Sequence, residues 1–271
     1  MGAVPEPDGA SWGAADVVAS FATDGPSDPG EAAALAAVRR WARGDVLDLG
    51  IGGGRTTGLL APAASTYVGL DIAPEMVALA RARFPGADLR VGDAAALSGI
   101  PDAAFDLVVF SYNGLDALDH GRRASALAAM ARAVRPGGRV LFSTLNLDGV
   151  SFDERPWRLA GGLRSRRGRH HLGRAVRHPG SLVRSVLNYR RTRRGAEDGP
   201  GWGRRPLRAH EFRFLVHFAT MAQTVASARA AGLDVVAAYA EDGTLLDLAA
   251  EHVDADYAHF VCAPTPRAVA G

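Results

Sequence analysis

The sequence predicts a doubly wound α/β fold, and three observations carry the prediction. The stretch Val46-Leu47-Asp48-Leu49-Gly50-Ile51-Gly52-Gly53-Gly54-Arg55-Thr56-Thr57 is an apolar run holding an acid, followed by a turn through four glycines and a helix start at Arg55–Ala61. Glycines at such a turn take positive φ and let a ligand approach the backbone, so strand, glycine-rich turn and helix mark the nucleotide-binding start of a doubly wound sheet. A second apolar strand, Thr66-Tyr67-Val68-Gly69-Leu70, closes on Asp71 at the spacing one βαβ unit requires. An acid there can accept hydrogen bonds from both hydroxyls of a ribose. Strand and helix signals then continue to alternate, which is the pattern of a mostly parallel sheet covered on both faces.

Ahead of the glycine turn, Glu31–Arg43 places Ala32, Leu35, Val38 and Trp41 at helical spacing, with Gly44 as a stop. Residues 1–29 read as loose, and Trp12 and Phe21 could close over the site or simply pack. Pro74 opens the helix Pro74–Phe84, where its missing N–H costs nothing. Val91-Gly92-Asp93-Ala94 ends a third strand and Phe105–Phe110 forms a fourth. An apolar helix, Gly121–Val134, leads through Pro136-Gly137-Gly138 into a fifth.

The composition changes after Val150. Three parts are expected: residues 1–149 as N-terminal helices and core, 150–210 as an arginine-rich insertion or cap, and 211–271 as the return to the core. Within the insertion Pro179-Gly180-Ser181 starts a helix whose Leu182, Val183, Val186 and Leu187 form an apolar stripe against Arg184, Arg190 and Arg191. Phe212, Phe214, Val216 and Phe218 then alternate with Arg213, Leu215 and His217, which predicts a strand with one buried face and His217 on its polar side. Thr220 caps a helix over Met221–Ala231 that Gly232 ends, and Leu233–Ala240 and Tyr257–Ala263 are the last strands.

The glycine loop beginning at Asp48, the acid Asp71, the Gly92-Asp93-Ala94 after strand three, the Phe105-Asp106 opening strand four and the Arg135-Pro136-Gly137-Gly138 turn resemble the class I S-adenosylmethionine-dependent methyltransferases. The likeness is close from Gly30 to about Thr144 and loose beyond. It implies a seven-stranded, mostly parallel, Rossmann-like sheet whose last strand is antiparallel, an insertion after strand five, S-adenosylmethionine as cofactor and S-adenosylhomocysteine as its product. By the same resemblance Gly50, Gly52 and Gly54 pack their backbone against the cofactor and Asp48 orders the loop. Asp71, followed by Ile72, takes the ribose. Met76 touches the adenine or is core, and Asp93 with the Ala94 amide meets the adenine edge. Arg55 reaches the cofactor carboxylate or pairs with an acid.

Strand four runs out into Ser111-Tyr112-Asn113-Gly114-Leu115-Asp116-Ala117-Leu118-Asp119-His120. Strand ends at the carboxyl edge face the ligand crevice, so Ser111, Tyr112 and Asn113 are expected near the transferred group. Methyl transfer needs positioning, exclusion of water and a freed nucleophile. His120 has the pKa range of a general base toward a hydroxyl, or it caps the following helix. Asp116 could bind the acceptor or orient the base, and His217 is a second base candidate, ahead of His210. His170-His171 lacks a matching acid at ligand spacing, so no metal is expected. The resulting expectation is methylation of a small molecule, at oxygen first, in a natural product or saccharide. Nitrogen as the attacked atom, an RNA acceptor and non-methylating chemistry stay open.

Composition bounds these readings. The 271 residues, 48% hydrophobic, suffice for one substantial core, and no apolar run approaches a bilayer span. Residues 1–30 lack the basic and apolar regions of a secretory signal, and Cys262 is the single cysteine, which fits a reducing cytoplasm. Net charge is only +2, every basic residue is arginine, and more than half of the arginines lie between Arg155 and Arg213. A solvated cap, a grip on an acidic acceptor and nucleic-acid binding all suit them. The isolated Tyr189 and Trp202 do not make the aromatic interleaving that a nucleic-acid stripe uses. The insertion's amphipathic helix could also pair two subunits.

Overall fold

The computed structural model describes Trp12 and residues 25–157 and 179–266. Phe21, His170 and His171 lie outside those residues. The sheet is built from β1 (Asp45–Leu49), β2 (Thr66–Asp71), β3 (Asp88–Val91), β4 (Phe105–Phe110) and β5 (Val134–Asn146), which pair in parallel in the order β3-β2-β1-β4-β5. Beyond β5 come β10 (Tyr257–Pro264), antiparallel to β5, and β9 (Leu233–Ala240), antiparallel to β10. These seven strands are the expected core, with the antiparallel final strand in its expected place.

Helices cover both faces. α1 (Pro29–Ala37), α2 (Arg55–Leu60) and α3 (Pro74–Arg83) pack with Val46, Leu107 and Leu141 on one side. α4 (His120–Ala133) and α6 (Met221–Ala230) pack with Leu47, Val108 and Phe142 on the other. α1 stops at Ala37, short of the expected Arg43, and Trp41–Arg43 forms a separate single turn in which the Trp41 indole donates to the Gly137 carbonyl. Asp28 caps α1 through the Glu31 amide. The same carboxylate accepts from Tyr257 Oη at 2.9 Å and lies 3.1 Å from His259 Nε2, which ties the first helix to the last strand.

Among the described residues, the segment between β5 and α6 adds three strands and one α-helix. α5 (Pro179–Thr192) begins where Pro179 predicts. β6 (Glu197–Gly199) and β7 (Trp202–Pro206) form a hairpin around Pro200-Gly201, and β7 pairs along its length with β8 (Leu215–Ala219). Leu145 of β5 pairs with Tyr257 of β10 on one edge and with Phe218 of β8 on the other. β8 therefore takes over the edge of β5 that β4 leaves at Phe110, and the hairpin extends the sheet past the carboxyl end of β4. A small core of Leu145, Leu207, Phe214, Val216 and Phe218, with Trp12 against it, seals this extension.

The strand expected from Phe212 is shorter. Glu211 and Phe212 take positive φ of 49° and 58°, so the chain turns there and becomes extended only at Leu215. All five residues of β8 are buried, because β7 flanks the strand and Phe152 and Trp202 pack over it. His217 is accordingly buried, with 1% exposure, and does not lie on a polar face.

Candidate active site

The glycine loop joins β1 to α2. Gly50 and Gly54 hold φ of +62° and +88°, and a Cβ on either would come within 2.7 Å of an aromatic ring, Phe110 and Phe84 respectively. Only glycine suits both conformation and space at these positions. The Gly52 amide donates to Asp71 Oδ2 at 2.8 Å and the Ala73 amide to Oδ1 at 2.9 Å, so the acid ending β2 stitches the loop to the start of α3. Burial raises the Asp71 pKa against the pull of these amides. Asp48 is fully buried, accepts from Tyr67 Oη at 2.6 Å, and is pushed up to about 6 by burial. Ile72 is half-buried, and Met76 is packed in the interior with 2% exposure.

Arg55 finds its partner inside the protein. Its guanidinium grips Glu31 with Nη1 on Oε2 at 2.5 Å and Nη2 on Oε1 at 2.8 Å, and it lies over the Tyr112 ring. Glu31 has no exposed surface and also accepts from the Ser111 hydroxyl and the Ser27 amide. Burial raises the Glu31 pKa, yet Arg55 and these donors together hold it below the carboxylate range. Asp93 accepts from the Ala95 amide at 2.9 Å and from Arg122 Nη2 at 2.8 Å, which links the end of β3 to α4, with Ala94 half-buried beside it.

Past β4 the backbone is constrained. Tyr112 and Asn113 both take positive φ, 56° and 58°, and the Asn113 amide donates to Ser143 Oγ at 2.7 Å. Asn113 Oδ1 is a buried acceptor without a partner among the described residues. Asp116 is 1% exposed and takes three donors: Arg123 Nη1 at 2.8 Å, Thr144 Oγ1 at 2.6 Å and the Leu145 amide at 2.7 Å. Burial pushes its pKa up, to about 7, against Arg123. The helix cap is Asp119, whose side chain accepts from the Arg122 amide at 2.7 Å. His120 is therefore the first helical residue and does not act as the cap.

The structure brings His120 and His217 together. His120 Nδ1 lies 3.1 Å from His217 Nε2, and the Trp202 indole stacks on His120 at 4.1 Å between centroids and 14° between planes. Trp202 lies near-parallel to His217 as well, at 5.4 Å and 11°. Burial lowers the pKa of both imidazoles, with Arg123 adding to it, and brings His217 down to about 2. Both shifts favour the neutral rings. His217 Nδ1 and Arg123 Nη2 are buried with no hydrogen-bond partner among the described residues.

Trp202, Glu31 and Arg123 are the site residues that sequence reasoning missed, and Trp202 is not isolated as expected. Two of them left a trace. Glu31 lies on the helical face of Leu35 and Val38, and Arg123 on that of Ala126, Leu127 and Met130, so each charge sits on an apolar stripe and calls for a buried partner. His210 is apart from the imidazole pair, packed against Trp12 and Phe214. Among the described residues no three His, Cys, Asp or Glu side chains gather as a metal site.

Comparison with known proteins converges on one family. Residues 46–138 match the model of a methyltransferase domain. A probable S-adenosylmethionine-dependent methyltransferase of Mycolicibacterium smegmatis is 39% identical over 108 residues, 40% of each chain. A malonyl-[acyl-carrier protein] O-methyltransferase of Methylococcus capsulatus is 37% identical over 124 residues, 43% of each. The matched part thus spans about two fifths of these curated relatives. The crystal structure of a TehB-like SAM-dependent methyltransferase from Corynebacterium glutamicum superposes with a TM-score of 0.51 at 19% identity, covering 92% of both chains, a likeness of fold. With its glycine loop, its acid at the end of β2 and this sheet order, the chain is similar, over residues 46–138, to the class I S-adenosylmethionine-dependent methyltransferases.

Proposed function

We propose that the chain binds S-adenosylmethionine at the glycine loop and methylates a hydroxyl oxygen of a small molecule held under the β7–β8 extension. The residues suit that cofactor. Gly50 offers exposed backbone free of any side chain, the Asp71 carboxylate is fixed at the end of β2, and Asn113 Oδ1 is a buried acceptor awaiting a donor. When bound, the cofactor supplies an activated methyl group. The protein's part is to position the acceptor and take its proton.

His120 is the base in this reading, and the observation that carries it is the His120–His217 contact stacked against Trp202. In the tautomer that donates from His120 Nδ1 to His217 Nε2, the other nitrogen of His120 is a bare acceptor on the less buried ring. On taking a proton His120 becomes an imidazolium whose Nδ1–H remains bonded to His217, and Trp202 holds the ring in plane. Asp116 serves as a positioning residue, fixing the Gly114–Ala117 turn to α4 and β5 so that His120 starts the helix in register. Names among the relatives support oxygen as the attacked atom.

Incubation with methyl-labelled S-adenosylmethionine and a panel of hydroxylated acceptors tests the reading. His120→Ala is expected to lower kcat by about 10²–10⁴-fold with little change in cofactor affinity. Labelled product formed at nitrogen, or unchanged kcat in the variant, overturns it.

A further inference from the structure

α5 is laid on the protein the wrong way round for a helix that faces water. Its inner side is tied down by polar contacts and one aromatic residue: Asn188 Nδ2 donates to the Glu211 carbonyl at 3.0 Å, Thr192 Oγ1 to the Arg213 carbonyl at 3.1 Å, and Tyr189 packs edge-on against Phe212 and Trp157. Most of its apolar stripe points outward, with Val186 half-buried. Val183 and Leu187, one turn apart, are 59% and 60% exposed, with Leu182 beside them. Trp157, over half exposed, stands at the edge of this face against Tyr189. A soluble helix normally buries such a stripe and turns its charges out.

The charges around the stripe have one sign. Arg190 and Arg191 follow Leu187 by three and four residues and Arg184 flanks Val183, all exposed, with Arg194 just beyond the helix. None of these four arginines has an ion-pair partner among the described residues. The whole sequence from Arg155 to Ala196 contains no Asp or Glu. We propose that this face is a peripheral membrane-binding surface: α5 lies in the interface of a bilayer carrying anionic headgroups. Leu182, Val183 and Leu187 enter the acyl boundary, the arginines reach the headgroups, and Trp157 sits at the interface.

Charge and shape favour that occupant over two others. A second copy docked on the same face through a twofold axis would set four unpaired arginines against four, which is repulsive. Single-stranded nucleic acid would need a row of exposed ring faces for stacking, whereas Tyr189 is buried and Trp157 stands alone at the edge of a face of aliphatic and arginine side chains. An anionic bilayer satisfies both halves of the face at once, because long arginine side chains cover apolar surface while their heads meet phosphate.

The test is co-sedimentation of the full chain with vesicles of phosphatidylcholine alone and of equal parts phosphatidylcholine and phosphatidylglycerol. Binding to the mixed vesicles only, weakened by salt, is expected. Arg190→Gln and Arg191→Gln should each lower the partition coefficient about fivefold. Leu187→Glu should lower it about tenfold or more. If Leu187→Glu lowers the melting temperature, the two arginine variants, which leave packing intact, decide the matter. No binding to mixed vesicles at low salt overturns the proposal. So does binding indifferent to all three substitutions, or a dimer that Leu187→Glu dissociates. RNA binding that is lost in the arginine variants while vesicle binding persists also overturns it.

Discussion

Replacing Asp116 by alanine separates a structural from a chemical role for this residue. Its carboxylate is 1% exposed and collects the Arg123 guanidinium, the Thr144 hydroxyl and the Leu145 amide, so it joins the turn after β4, the first turns of α4 and the end of β5. Arg123 is itself 3% exposed, and its other terminal nitrogen already lacks a partner among the described residues. Removing the carboxylate leaves a cation buried without a counter-ion, along with an orphaned hydroxyl and an orphaned amide. Losing one partner of a buried pair costs about 3–5 kcal/mol. At roughly 2–4 °C per kcal/mol for a chain of this size, the melting temperature should fall by about 6–20 °C. Urea unfolding followed by circular dichroism measures the loss directly. A variant within about 1 kcal/mol of the parent, yet without activity, would instead place Asp116 in the chemistry.

Two further outcomes follow from the same structure. Gly50→Ala places a Cβ 2.7 Å from the Phe110 ring at a φ of +62°. It should cost about 1–2 kcal/mol from backbone strain alone, read by urea unfolding, and should weaken cofactor binding by calorimetry. His217 gives a pH signature. Its folded pKa is lowered to about 2 by burial, then Arg123, His120 and Arg204, while the unfolded imidazole titrates near 6.5. Below pH 6.5 the unfolded chain therefore binds the extra proton, and stability falls as the pH drops from 6.5 toward 2. The His217→Gln variant should lose less stability than the parent between pH 7.5 and 5.5, by about 1.4 kcal/mol, and equal losses would contradict the burial of a neutral ring.

The core was legible because its signals are local. The apolar run of β1 stops at glycines that need positive φ, Pro74 sits at a first helical turn, and Thr220 and Gly232 bracket α6 as written. The antiparallel place of Tyr257–Pro264 came from the family resemblance and not from those residues. What stayed hidden depends on contacts between distant segments. Glu31 and Arg55 are 24 residues apart, and His120 and His217 are 97 apart. Nothing in the alternation around His217 shows that β7 will flank β8 and turn both of its faces inward. The hairpin that does so announces itself only through Pro200-Gly201 between two very short strands. For α5 the periodicity identified the apolar stripe, but which way it faces was decided by Tyr189 and Thr192 on the opposite side.

Titration calorimetry with S-adenosylhomocysteine, on the parent chain and on Asp71→Ala, tests the central reading most directly. Saturable one-to-one binding is expected for the parent, with affinity weakened at least about tenfold in the variant, whose melting curve controls for folding. No heat with the parent, or equal affinity in a folded Asp71→Ala chain, would contradict it.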